Sequence, residues 1–122
     1  MRKKILLIDD DAAVVDYMTA KLGGEFDLIT TSSPEQALRL VREDMPDLVI
    51  CDIDLHSALD GGDISGALYR DPETQHIPLI YLTALVSPSE LASRDNQLAG
   101  RAAISKHGPT EKIIAKIRAS LG

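Results

Sequence analysis

Lys4-Ile5-Leu6-Leu7-Ile8-Asp9-Asp10-Asp11 is a short apolar run that ends on three acids. An unbroken run of this length, followed by helical spacing, reads as a strand buried on both faces of a parallel sheet. The pattern recurs along the chain. Asp47-Leu48-Val49-Ile50-Cys51 runs into Asp52, Ile77-Pro78-Leu79-Ile80-Tyr81-Leu82 into Thr83, and Ala102-Ala103-Ile104-Ser105 into Lys106. Ligands of open parallel sheets bind at the carboxyl ends of the strands. The run ends therefore predict one pocket holding an acidic cluster, a further Asp, a Thr and a Lys. Carboxylates suit a hard divalent cation, and a hydroxyl and an ammonium suit phosphoryl oxygens.

Helical spacing fills the intervals. Val15, Met18 and Leu22 mark one face of a first helix that Gly23-Gly24 ends. Phe26 to Thr31 reads as the second strand. Ser33 reads as an N-cap, with Pro34 at the first helical position and Gln36 at capping-box spacing. Ala37, Leu38, Val41 and Met45 form the apolar stripe of this helix, and Pro46 stops it. A loop rich in Asp and Gly, Asp54 to Gly62, leads to a short helix over Asp63 to Arg70 with Ile64, Ala67 and Leu68 inward. Asp71-Pro72-Glu73-Thr74 is a turn. Ser87-Pro88 opens a helix expected to reach about Ala99, and Gly100 precedes the fifth strand. Pro109 and Thr110 start the last helix, with Ile113, Ile114, Ile117 and Leu121 on one face. Alternating strand–helix units imply a three-layer α/β sandwich with right-handed crossovers.

Composition excludes several classes. The 122 residues are one domain's worth, with 44% hydrophobic and 26% charged residues in the range of globular proteins. A net charge of −6 argues against direct nucleic-acid binding, which needs basic patches. No apolar run approaches a membrane span, and no signal-peptide pattern opens the chain. The single cysteine, Cys51, lies inside an apolar run, reads as a small core residue and fits a reducing cytoplasm. His56, His76 and His107 lack metal-ligand spacing and read as exposed loop or turn residues.

Ile8-Asp9-Asp10-Asp11, Pro46 to Asp52, Leu82-Thr83-Ala84 and Lys106, in this order, resemble the motifs of response regulator receiver domains. The resemblance covers Arg2 to Leu121, so the chain is expected to be one receiver domain over 1–122. It implies a flavodoxin-like fold with a five-stranded parallel sheet in the order 2-1-3-4-5 and five helices. It implies a phosphorylation-controlled switch of a two-component system, cytoplasmic, in which Asp52 accepts a phosphoryl group. The donor would be a histidine kinase or a histidine phosphotransfer protein, and a downstream protein target would read the result. By the same resemblance Asp9, Asp10 and Asp52 ligate Mg2+, Asp54 adds its backbone carbonyl, and Thr83 and Lys106 contact the phosphoryl group. Catalysis would be limited to self-catalysed transfer to Asp52 and hydrolysis from it. A weak homodimer is compatible with the reading, as are a stand-alone receiver and a piece of a longer protein.

Each motif has a plainer reading. Adjacent acids can cap a helix and favour its dipole, and Asp11 is expected mainly to do that. Asp52 could form a turn, Thr83 could be an ordinary strand residue, and Lys106 could be a solvated charge. Their joint placement favours the shared pocket. Two other functions fit parts of the chain. Asp52-Ile53-Asp54 matches the Asp-x-Asp motif of haloacid-dehalogenase-like Mg-dependent phosphatases, although those place it on the first strand and need an acidic pair after the Lys. A flavin binder would suit the fold, but the acids after the first strand would repel the flavin phosphate.

The chain departs from the receiver pattern at three places. No Pro follows Asp52 closely, and the stretch from Ile53 to Gly62 runs one residue long. His107 stands where Pro usually follows the Lys. The Lys106–His107 bond is therefore expected to be trans, with Gly108 available for a positive φ. Ala103 stands where an aromatic switch residue is common, so a rotamer change there cannot report phosphorylation.

Overall fold

The structure, a computed structural model, describes residues 2–53, 61–84, 86–98 and 101–122. Strands β1 (Lys4–Ile8), β2 (Asp27–Thr31), β3 (Leu48–Asp52), β4 (Leu79–Thr83), β5 (Gln97–Leu98) and β6 (Arg101–Ser105) form one sheet in the order β2-β1-β3-β4-β6-β5. β6 is the expected fifth parallel strand, so the order 2-1-3-4-5 holds for the parallel part. The added β5 is a two-residue antiparallel edge on β6. Helices α1 (Ala12–Leu22), α2 (Pro34–Asp44), α3 (Gly61–Arg70), α4 (Pro88–Ala92) and α5 (Thr110–Leu121) complete the flavodoxin-like fold.

Alternate residues of each strand feed opposite faces of the sheet, as the two-residue strand period requires. Ile5 and Leu7 of β1 join Leu48, Ile50, Ile80, Leu82 and Ile104 under α1 (Met18, Leu22) and α5 (Ile113, Ile117). Leu6 and Ile8 join Val49, Cys51, Leu79 and Tyr81 under α2 (Ala37, Val41), α3 (Ile64, Leu68) and Leu91 of α4. Burial on both faces explains why these strands read as unbroken apolar runs. Truncating a fully buried leucine or isoleucine in either layer to alanine would cost about 2–5 kcal/mol.

The helix starts follow the sequence, with one rewiring. Asp11 caps α1 by accepting from Ala13 N–H at 3.0 Å, and Ser33 caps α2 by accepting from Gln36 N–H at 3.3 Å. The return half of the capping box is absent. Ser33 N–H donates to Thr31 Oγ1 at 3.1 Å instead, and the Thr31 hydroxyl lies 3.4 Å from Gln36 Oε1.

Two expected features differ. Met45 leaves the α2 stripe: it is 44% exposed and adopts φ 44°, with its N–H bonded to Val41 O. The following Pro46 disfavours a right-handed helical Met45, and the helix closes on a left-handed cap. The helix begun at Ser87-Pro88 ends at Ala92 rather than near Ala99. Asp95 and Asn96 take φ 56° and 57°, the left-handed conformation their side chains tolerate best after glycine. Asn96 fixes the new path with three bonds. Its N–H donates to Leu91 O at 2.7 Å, its carbonyl accepts from Ala103 N–H at 2.9 Å, and its Oδ1 accepts from Lys116 Nζ at 2.9 Å.

Candidate functional site

The sheet order sets β1, β3, β4 and β6 side by side, so their carboxyl ends share one rim. Ile8 is in register with Cys51, which brings Asp9 level with Asp52. Thr83 is in register with Ser105, which brings Lys106 to the next position beside it. The expected residues Asp9, Asp10, Asp52, Thr83 and Lys106 all lie at this rim. Asp54 and His56 fall outside the described residues.

The three adjacent acids have three different roles. Asp9 is fully buried, its N–H donates to Thr31 O at 3.2 Å, and its Oδ1 accepts from Asp11 N–H at 2.9 Å. Asp10 is exposed. Asp11 is the helix cap. Carboxylate oxygens of Asp9, Asp10 and Asp52 all lie within 4.8 Å of one another.

Lys106 reaches into this cluster. Its Nζ is 2.8 Å from Asp9 Oδ2 and donates to Asp52 Oδ2 at 3.4 Å. The Asp9 contact is an ion pair outside hydrogen-bond geometry, so Asp9 Oδ2 is buried without a hydrogen bond. Burial raises the Asp9 carboxyl above the ordinary aspartate range, aided by the Asp52 charge and only partly opposed by Lys106 and Asp11. Burial alone would lower the Lys106 ammonium, but Asp9 and Asp52 together raise it. The two partners thus respond differently to one contact. The ammonium is held charged by two carboxylates, whereas Asp9 is desolvated and faces a second negative charge.

These facts test whether a cation fits. Three convergent carboxylates against one ammonium leave excess negative charge, and Asp9 offers a buried oxygen lacking a hydrogen bond. An all-oxygen donor set of this kind suits Mg2+, which keeps several of its waters and needs few protein ligands. An open cleft of about 460 Å³ borders the cluster, lined by Asp9 and Asp10 together with Asp16, Thr30, Ser32 and Gln36.

The connections hold contacts that the sequence does not announce. Lys106 N–H donates to Thr83 O at 2.7 Å. The ring Nε2 of His107 lies 3.3 Å from Ala84 O. His107 and His76 are exposed, as expected, and cis peptide bonds are absent among the described residues, as expected for Lys106–His107. Gly108, however, has no positive φ. The turn is made instead by Ser105, whose Oγ accepts from His107 N–H at 3.2 Å and whose carbonyl accepts from Gly108 N–H at 3.1 Å. Lys21 of α1 donates to Gly108 O at 3.1 Å and ties the turn to the neighbouring helix.

The family model for the response regulator receiver domain matches residues 5–118. The DNA-binding response regulator MtrA of Mycolicibacterium paratuberculosis is 34% identical over 122 residues, covering 99% of this chain and 52% of the relative. The response regulator PleD of Caulobacter vibrioides is 35% identical over 86 residues, covering 70% of this chain and 19% of the relative. The chain thus spans about half the length of MtrA and less of PleD. Among solved structures, the N-terminal domain of a response regulator receiver protein from Methanoculleus marisnigri is 29% identical with a TM-score of 0.70, covering 98% of this chain and 97% of that one. The Vibrio cholerae chemotaxis protein CheY4 shares the fold with a TM-score of 0.79 at 17% identity, covering 98% of this chain and 99% of that one. No helix among the described residues is long and apolar enough to cross a membrane. Nothing in these findings supports the phosphatase or flavin readings.

Proposed function

The chain belongs to the family of response regulator receiver domains, the phosphorylation-controlled switches of two-component signalling, and we propose that Asp52 is its phosphoacceptor. The observation that carries this reading is the Lys106 ammonium, 3.4 Å from Asp52 and 2.8 Å from Asp9 at the shared strand ends.

A carboxylate oxygen of Asp52 attacks the phosphorus of a phosphohistidine on a histidine kinase or a histidine phosphotransfer protein. The N–P bond breaks as the new O–P bond forms, and the released imidazole takes up a proton. Lys106, already paired with Asp52, balances charge on the acyl phosphate. Thr83 donates its hydroxyl to a phosphoryl oxygen, and the small side chain of Ala84 leaves room beside it. Water later attacks the phosphorus and returns Asp52 to a carboxylate.

Asp9, Asp10 and Asp52 are the residues that would hold Mg2+, with the Asp54 carbonyl as a further ligand. When bound there, the metal neutralises charge on the group being transferred. A downstream protein target reads the phosphorylated form. Phosphorylation by a small phosphodonor, such as phosphoramidate, tests the assignment. The expected product is a carboxyl phosphate, labile in strong acid and in base, that needs Mg2+ and is lost in Asp52→Asn. Phosphate recovered on Ser, Thr or His would overturn it.

A further inference from the structure

Consecutive carbonyls at the end of β4 are held by consecutive residues after β6. Lys106 N–H holds Thr83 O at 2.7 Å, and the His107 ring holds Ala84 O at 3.3 Å. The first bond continues the strand ladder, since Thr83 and Ser105 are in register. The second extends that ladder by one rung, using a side chain where the described residues place no backbone donor. A carbonyl only accepts, so Nε2 must carry the proton. The base of the ring is fixed as well, because His107 N–H donates to Ser105 Oγ at 3.2 Å.

We propose that His107 is a positioning residue for phosphoryl transfer: by holding the Ala84 carbonyl, it fixes the peptide that follows Thr83 and so aims the Thr83 hydroxyl at the phosphoryl group on Asp52. Thr83 is buried and ends its strand, so its side-chain direction depends on the backbone immediately beyond it. Ala84 is exposed, and its methyl group offers little packing to hold that backbone. The imidazole supplies a restraint at that point. It is placed to do so because the residue after Lys106 is not proline, which has no side chain able to donate across the gap. Lys106 and His107 then act from one turn on both halves of the site, one through charge and the other through backbone placement.

The proposal rests on Asp52 as phosphoacceptor, and its test separates the two. Parent, Asp52→Asn, His107→Ala and His107→Gln proteins are compared for the rate of phosphorylation by phosphoramidate at saturating Mg2+. Mg2+ affinity is measured separately without phosphodonor. The amide of Gln can donate from nearly the same place as Nε2. His107→Ala is expected to slow phosphorylation roughly threefold to tenfold, the span of one modest hydrogen bond. Its Mg2+ affinity should match the parent's, because the acids lie on other strands, and His107→Gln should recover most of the rate. An unchanged rate in His107→Ala, a parallel loss of Mg2+ affinity, or failure of Gln to recover the rate would overturn the role of His107. A parent protein that takes no phosphate on Asp52 would instead overturn the phosphoacceptor assignment.

Discussion

Lys106 Nζ lies 2.8 Å from Oδ2 of Asp9, a carboxylate with no exposure to solvent. Removing the ammonium leaves that charge buried beside Asp52. Breaking one side of a buried pair commonly costs about 3–5 kcal/mol, and protonation of Asp9 lowers the penalty here. Lys106→Ala is therefore expected to lose about 2–3 kcal/mol in metal-free urea unfolding. Mg2+ should restore part of the loss, since a cation would again face the acids.

Asp9 makes the metal-free protein sensitive to pH with a defined sign. Its carboxyl is raised in the folded state, chiefly by burial. The group's contribution to stability is fully present below its unfolded pKa and is lost as pH rises through the folded value. Without metal, Asp9→Asn should be more stable than the parent at neutral pH, and the gap should close on acidification below the ordinary aspartate range. Thermal midpoints at pH 7 and pH 3 check this. A gap that widens with acid would contradict it.

Asp10 contributes a carboxylate to the cluster from an exposed position. Asp10→Asn should therefore fold normally and bind Mg2+ more weakly, by at least about tenfold, the loss seen even for outer partners at many metal sites. Titration calorimetry compares the two proteins directly.

Met45 occupies a left-handed cap at φ 44° with 44% of its surface exposed. Left-handed backbone costs a residue with a Cβ about 1–2 kcal/mol, partly offset by the extra freedom glycine has when unfolded. Met45→Gly should raise stability by about 0.5–1 kcal/mol, read as a higher urea midpoint at unchanged slope.

Ala103 has no rotamer to exchange, so a phosphorylation signal starting at Thr83 is expected to leave by the backbone. The path available is α4, only five residues long and anchored by Leu91, followed by the turn pinned at Asn96. Amide exchange with and without a phosphoryl mimic should differ between Val86 and Leu98. Protection that changes only on the α1 and α5 side would refute this route.

The strand ends were readable because the signals are local. An apolar run and the polar residue that stops it are neighbours in the chain, and topology does the rest. The expected run of α4 to about Ala99 passes over Asp95-Asn96, the pair that tolerates the left-handed turn by which the chain leaves the helix. Met45 was harder, since helical spacing favoured the stripe while the effect of Pro46 acts on the residue before it. The contact from His107 to Ala84 had no sequence signal. It joins connections 23 residues apart and depends on where two turns bring a ring and a carbonyl.

The alternation of Ile5 and Leu7 with Leu6 and Ile8 makes β1 intolerant of any change in length. One residue inserted between Lys4 and Ile8 would exchange the two apolar layers downstream of it and swing Asp9 away from Asp52. The sheet thus behaves as a phase-locked frame in which chemistry and core share one parity. Variation in length is confined to the connections. A lengthened stretch between Ile53 and Gly62, expected from the resemblance, would be an addition of the kind this frame permits.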